Sequence, residues 1–186
     1  VYCGYILSLS MNIFVTDPDP VKSAQVLPDK HIVKMPLETC QMLSIVASDK
    51  WGHGYGVLPK LNGEPYKTEK GAFRNHPCTV WAQTYFRWLI EHGLALCAEY
   101  TYRYGKIHST ERLLGDLLGY TPKGLEDNGF TEPPQCMPDY CKVKGDTIEA
   151  YKNYYINEKQ YFAKWTKQRE PEWYTEGTGT YSSYAS

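Results

Sequence analysis

Apolar side chains recur every three to four residues in three long blocks, Val21 to Ala47, Pro77 to Tyr104 and Thr147 to Gln168. Such spacing gives amphipathic helices and cannot sustain a strand, whose faces alternate every two residues. The punctuation agrees. DPDP (17–20) offers an Asp cap and a Pro at a first helical position. Asp29 is placed to cap a second piece after the interruption at 27–29, and Pro36 inside it to bend it. Asn75-His76-Pro77 reads as a cap and first turn, and Gly105 as the residue that ends the helix. Ser109 or Thr110 starts a short helix to Leu118, and Asp146 caps the last one. Between the blocks lie two loops, 49–75 and 120–145, rich in Gly, Pro and Asn. The expected fold is mainly α: a single compact domain of three principal helices, two long loops and a short N-terminal extended arm, MNIFVT (11–16). The domain is expected to span 11–173, with 1–10 an upstream extension and 174–186, small and polar, a disordered tail. VYCGYILSLS makes a poor signal peptide; its other reading is a first strand.

A chain of 186 residues buries a real core unaided. Twenty basic residues against 21 acidic give a net charge of −1, which excludes a strongly basic nucleic-acid coat but not a local basic face. No apolar run reaches the roughly 20 residues of a membrane helix. Of the six Cys, only Cys136 and Cys141 are close in sequence. With no paired Cys/His spacing, they read as reduced, buried thiols, and neither a metal nor a cofactor is expected. Aromatics make up 15%, with 17 Tyr, 5 Trp and 5 Phe. That bias towards rings with a polar handle suits a stacking site or an interface as well as a core.

Four constellations carry possible chemistry. In DKHIVKMPLETCQ (29–41), a turn of about 100° per residue puts His31, Lys34, Glu38 and Gln41 on one stripe. An amine one turn from a carboxylate is a nucleophile or a carbonyl-binding group, or else a plain i,i+4 ion pair. NHPCTVW (75–81) opens a helix whose free N–H groups, with Arg74 beside them, favour a phosphate, and His76 is placed to bind it; otherwise His76 is a first-turn surface residue. Trp81, Tyr85, Trp88, His92, Glu99 and Arg103 share one face, and EYTYRYGKIH (99–108) mixes Tyr with Arg103 and Lys106, as single-stranded or distorted nucleic acid prefers. Last, 142–169 holds seven Lys/Arg against three acids, a modest basic face through Lys152, Lys159 and Lys167.

DKHIVKMPLETCQML, FRNHPCTVW, EYTYRYGKIH and AYKNYY resemble a family of small proteins of marine tailed phages, over about Met11 to Trp173. More remotely, the layout is similar to the phage pyrimidine-dimer DNA glycosylases of the endonuclease V type. Asp29-x-His31 with Glu38 seven residues on matches their first helix, and Glu99, Arg103 and Gly105 loosely match the end of their second. The resemblance implies a bifunctional glycosylase and abasic lyase. An N-terminal α-amine attacks the sugar C1′ to give a Schiff base, a Glu supports the sugar cation, and His and Arg residues hold the damaged duplex.

On that reading Glu38 is the catalytic carboxylate, and His31 and Lys34 line the site. Lys30, Arg74, His76, Arg103 and Lys106 contact DNA. The nucleophile is an N-terminal amine or Lys34; the candidate termini are Val1, Met11 and Asn12. Leu37 stands where the family has an Arg, and the arm before the His is longer. The implied location is the cytoplasm of an infected bacterium. The rival readings are a non-catalytic accessory protein that binds a protein partner through an aromatic-rich surface, and a different small-molecule or nucleotide enzyme using the same stripe.

Overall fold

The computed structural model describes residues 11–48, 54, 56–120 and 129–179, so the expected extension 1–10 and the residues from 180 lie outside it. Among the described residues there are seven α-helices and no strands: α1 (Pro20–Gln25), α2 (Asp29–Val46), α3 (Pro77–Thr84), α4 (Phe86–Tyr104), α5 (Glu111–Leu117), α6 (Thr147–Glu158) and α7 (Glu172–Thr178). None is long and apolar enough to cross a membrane.

Capping chemistry explains several ends. The Asp19 side chain accepts from Val21 N and Lys22 N, with Pro20 at the first position. Asp146 accepts from Glu149 N, and Gly105 closes α4 in the left-handed region that glycine tolerates. Three expectations change. The block from Pro77 to Tyr104 is two helices, broken at Tyr85 (φ −128, ψ 40), and its cap is the His76 ring, which accepts from Cys78 N, in place of Asn75. The last block stops at Glu158, well short of Gln168. The segment after Trp173 is helical to Thr178 with Tyr174 buried, so the disordered tail does not begin at 174. Pro36 is accommodated inside a continuous α2.

Helix α2 is the central element. It packs on α3, α4 and α5, and α4 also packs on α1. The α2–α4 contact is close: a Cβ on Gly93 would lie 2.9 Å from Thr39 Cγ2 and 3.0 Å from a Leu114 methyl. Trp81, Tyr85 and Trp88 are buried together, with Tyr151 and Tyr155 fully enclosed. Most of the large aromatics thus serve packing, each contributing on the order of 150–250 Å² of burial.

The arm 11–16 is buried along its whole length without pairing as a strand. Side chains satisfy its backbone instead: Thr16 N donates to Ser23 Oγ, and Ile13 N donates to Asn12 Oδ1. Phe14 holds a left-handed φ of 60, rare for a non-glycine residue. This turn of the backbone puts its ring 4.2 Å from that of His31 and stacks it on Tyr154.

Candidate active site

Glu38 lies on the face of α2 that the arm covers and is 5% exposed. Its two oxygens have different partners. Oε1 pairs with Lys34 Nζ at 2.9 Å, one turn back on the helix. Oε2 accepts from the backbone N of Asn12 at 3.0 Å. That nitrogen is held from behind: Asn12 Nδ2 donates to Cys136 O (3.0 Å), and Asn12 Oδ1 accepts from Tyr151 O–H at 2.6 Å. Tyr151, fully enclosed, also donates to Pro134 O at 3.1 Å. Burial pushes its phenol well above the ordinary value, so it remains a donor.

His31, seven residues before Glu38, is buried on the same helix α2. Its Nδ1 lies 2.6 Å from the Tyr155 hydroxyl, and its ring sits between Phe14 and Phe162. Burial, followed by the charges of Lys159, Lys34 and Lys30, pushes its pKa down to about 3. It is therefore a neutral ring at physiological pH. The same three lysines mark the rim. Lys30 Nζ lies 5.0 Å from the centre of the Phe162 ring, and Lys159 Nζ 4.4 Å from that of Tyr154. Burial lowers the Lys159 pKa, with Lys34 adding a smaller repulsion. Lys34 is largely exposed. A buried carboxylate against a backbone nitrogen and one lysine, with two more lysines near the neighbouring His31, is suited to hold an anionic polymer and stabilise positive charge at one point.

The other expected DNA contacts are placed differently. Arg103 does not reach the surface: its side chain is wholly buried and binds Glu99 (2.9 Å), Asp29 (2.8 Å) and the carbonyl of Gln25 (2.9 Å). A buried guanidinium requires such partners, and it has no face left for phosphate. Asp29 likewise does not cap its own helix. It is the first residue of α2, and its carboxylate receives the Thr166 N–H and hydroxyl as well as Arg103. Burial pushes the Asp29 carboxyl up, but these donors outweigh it and leave it below its ordinary value. His76 is half-buried, and burial lowers its pKa, so it is a neutral cap more than a cationic phosphate ligand. Arg74 is exposed before α3, and Lys106 is exposed in the turn after α4. His108 Nε2 ties that turn to α2 through Val33 O at 3.0 Å. The tyrosines around Arg103 are engaged too: Tyr100 packs on Tyr104 and His108, and Tyr102 lies under the Arg169 guanidinium. Among the described residues no group of three or more His, Cys, Asp or Glu converges as a metal site.

Sequence reasoning put Glu38, His31 and Lys34 on one stripe; in the structure Lys34 pairs with Glu38, and its charge also reaches His31. It missed the Asn12–Tyr151 pair, since Tyr151 reads as one of a core stripe, and it gave Lys159 only to a diffuse basic face.

A family model described as pyrimidine dimer DNA glycosylase matches residues 11–112, more than half of the 186-residue chain. Comparison with curated proteins and with solved structures found no match. The matched region starts at the arm and contains Asn12, His31, Lys34 and Glu38. The chain therefore belongs to the pyrimidine dimer DNA glycosylase family.

Proposed function

We propose that this protein is a DNA glycosylase and abasic lyase acting on damaged pyrimidines in duplex DNA, with the nitrogen of Asn12 as nucleophile and Glu38 as the assisting carboxylate. The observation that carries the reading is the 3.0 Å separation of Asn12 N and Glu38 Oε2, fixed by Tyr151 and Cys136. Within a longer chain this nitrogen is an amide and no nucleophile. Once the residues through Met11 are removed it is a primary α-amine, with a reference pKa of roughly 7.7–8.0. Glu38, 3.0 Å away, is placed to take up a proton as the amine attacks.

The amine attacks C1′ as the bond to the damaged base breaks, and the positive charge of the sugar develops beside Glu38. The adduct passes a proton from its nitrogen to O4′, with Glu38 as the relay, and cleavage of the C1′–O4′ bond opens the sugar ring to give the iminium. Removal of a C2′ proton then expels the 3′ phosphate, which is the lyase step. Lys30, Lys34 and Lys159 hold the phosphates nearest the site, while Arg74 and Lys106 extend the contact on either side. His31 is a neutral wall that keeps Glu38 and the arm in register.

Borohydride reduction on abasic-site duplex tests this directly. The expected product is a covalent adduct that peptide mapping places on the amino group of Asn12. An adduct on Lys34, whose Nζ lies 2.9 Å from the other Glu38 oxygen, would move the nucleophile to α2. No adduct at all would refute the lyase.

A further inference from the structure

We propose that Cys78 and Cys136 are an oxidation site, a thiol pair whose closure to a disulfide displaces the side chain of Asn12. Its consequence for catalysis rests on the amine reading above; its existence does not.

The two Sγ atoms are 3.6 Å apart, although 58 residues separate them in sequence. A disulfide needs about 2.05 Å, so closure requires roughly 1.5 Å of approach. The two sides are unequally free to move. Cys78 is in the first turn of α3, fully buried beside Thr79 and packed towards α2. Cys136 is half-buried in the stretch 129–136, which has no helix or strand. That stretch is tethered by side-chain bonds, including those of Gln135 to Val143. The Cys136 side therefore moves. Its carbonyl is the acceptor for Asn12 Nδ2, and Pro134, two residues away, accepts from Tyr151. A shift of this size at Cys136 breaks a 3.0 Å hydrogen bond and loosens the clamp on Asn12.

The chemistry also picks out this pair. Burial pushes the Cys40 thiol up to about 12 and that of Cys97 up to about 11, which leaves both inert. Cys141 is also raised by burial. Cys136 is lowered, chiefly because the Cys78 S–H supports its thiolate. With a small-molecule disulfide as oxidant, the Cys136 thiolate attacks one sulfur and releases one thiolate. Cys78, losing its proton, then attacks the Cys136 sulfur of the mixed disulfide and releases the second. Two protein thiols and one disulfide become one protein disulfide and two small thiols.

The test treats the full chain with oxidised glutathione, then with dithiothreitol. Expected are loss of two titratable thiols with no retained glutathione, a mapped Cys78–Cys136 peptide, and a shifted Asn12 side-chain amide resonance. Dithiothreitol reverses all three, and Cys78→Ala and Cys78→Ser abolish them. A stable glutathione adduct, or no loss of thiols, overturns the pair. A disulfide that leaves the Asn12 resonance in place overturns the coupling. Borohydride trapping is expected to slow at least tenfold in the oxidised protein. A protein untrappable in both redox states sinks the amine reading, while the thiol count and the amide resonance still decide the pair.

Discussion

Replacing Glu38 by Gln isolates the charge from the shape. The side chain is almost fully enclosed, and the amide oxygen of Gln still accepts from Asn12 N, so the arm stays docked. What disappears is a negative charge beside the nitrogen proposed as the nucleophile. A sugar cation bound to that nitrogen lies on the order of 4 Å from the carboxylate. At an effective dielectric of about 20 this interaction is worth about 4 kcal/mol, or roughly a thousandfold in rate. The lost pair with Lys34 costs far less, about 1 kcal/mol at most, because that lysine is 57% exposed. DNA affinity should hold or rise, since one negative charge is lost and Lys34 is freed from its pair. Single-turnover base release and borohydride trapping, with enzyme in excess over substrate, read the effect. A folded Glu38→Gln protein that loses less than tenfold would refute electrostatic support from this residue. A large loss that tracks weakened binding would refute its assignment to chemistry.

Arg103→Met leaves Glu99 with Arg169 at 3.3 Å and Asp29 with the Thr166 donors alone, so it should destabilise towards the lower end of about 3–5 kcal/mol in urea denaturation. Its DNA affinity should keep its salt slope; a lowered slope with stability intact would put Arg103 back on the phosphate. Lys159→Met is expected to do the opposite, reducing the slope of log K against log salt by about 0.9 with little change in the urea midpoint. Both His31 and His92 have folded pKa values pushed down to about 3, against 6.5 unfolded. The unfolded chain therefore binds more protons between those values, and stability is full above about 6.5 and falls as pH drops towards 3. Urea midpoints at pH 7.5 and 5.0 check this, and a flat profile would contradict it. His92 is fully buried on the Trp88 ring, with neither ring nitrogen hydrogen-bonded among the described residues. His92→Leu should therefore remove part of the acid sensitivity and leave stability at pH 7.5 equal or higher.

What the chain disclosed before its structure was known follows a physical line. Caps act within three or four residues, so Asp19 and Asp146 were legible. Helical register is equally local, so Glu38 could be set beside Lys34 and near His31. The break at Tyr85 was hidden because Trp81, Tyr85 and Trp88 keep helical spacing through it, with neither Gly nor Pro to mark it. Arg103 misled for a different reason. A cation near a helix end among tyrosines looks like surface, and the partner that buries it, Asp29, lies 74 residues away. Asn12 and Tyr151 are 139 residues apart, and no local pattern links them.

That separation governs how the protein comes into being. Asn12 is restrained by Glu38, 26 residues on, but also by Cys136 and Tyr151, 124 and 139 residues on. The family-matched stretch ends at 112, before either of the latter has been synthesised. On the ribosome, α2 can carry its carboxylate while the first residues of the arm still lack their clamp. Docking of α6 thus closes contacts of high sequence separation late in synthesis, and it completes the restraints on Asn12. A nascent or truncated chain ending near 112 holds Glu38 but leaves Asn12 without two of its three restraints, so on the proposed amine mechanism such a chain is expected to be inactive until α6 is in place.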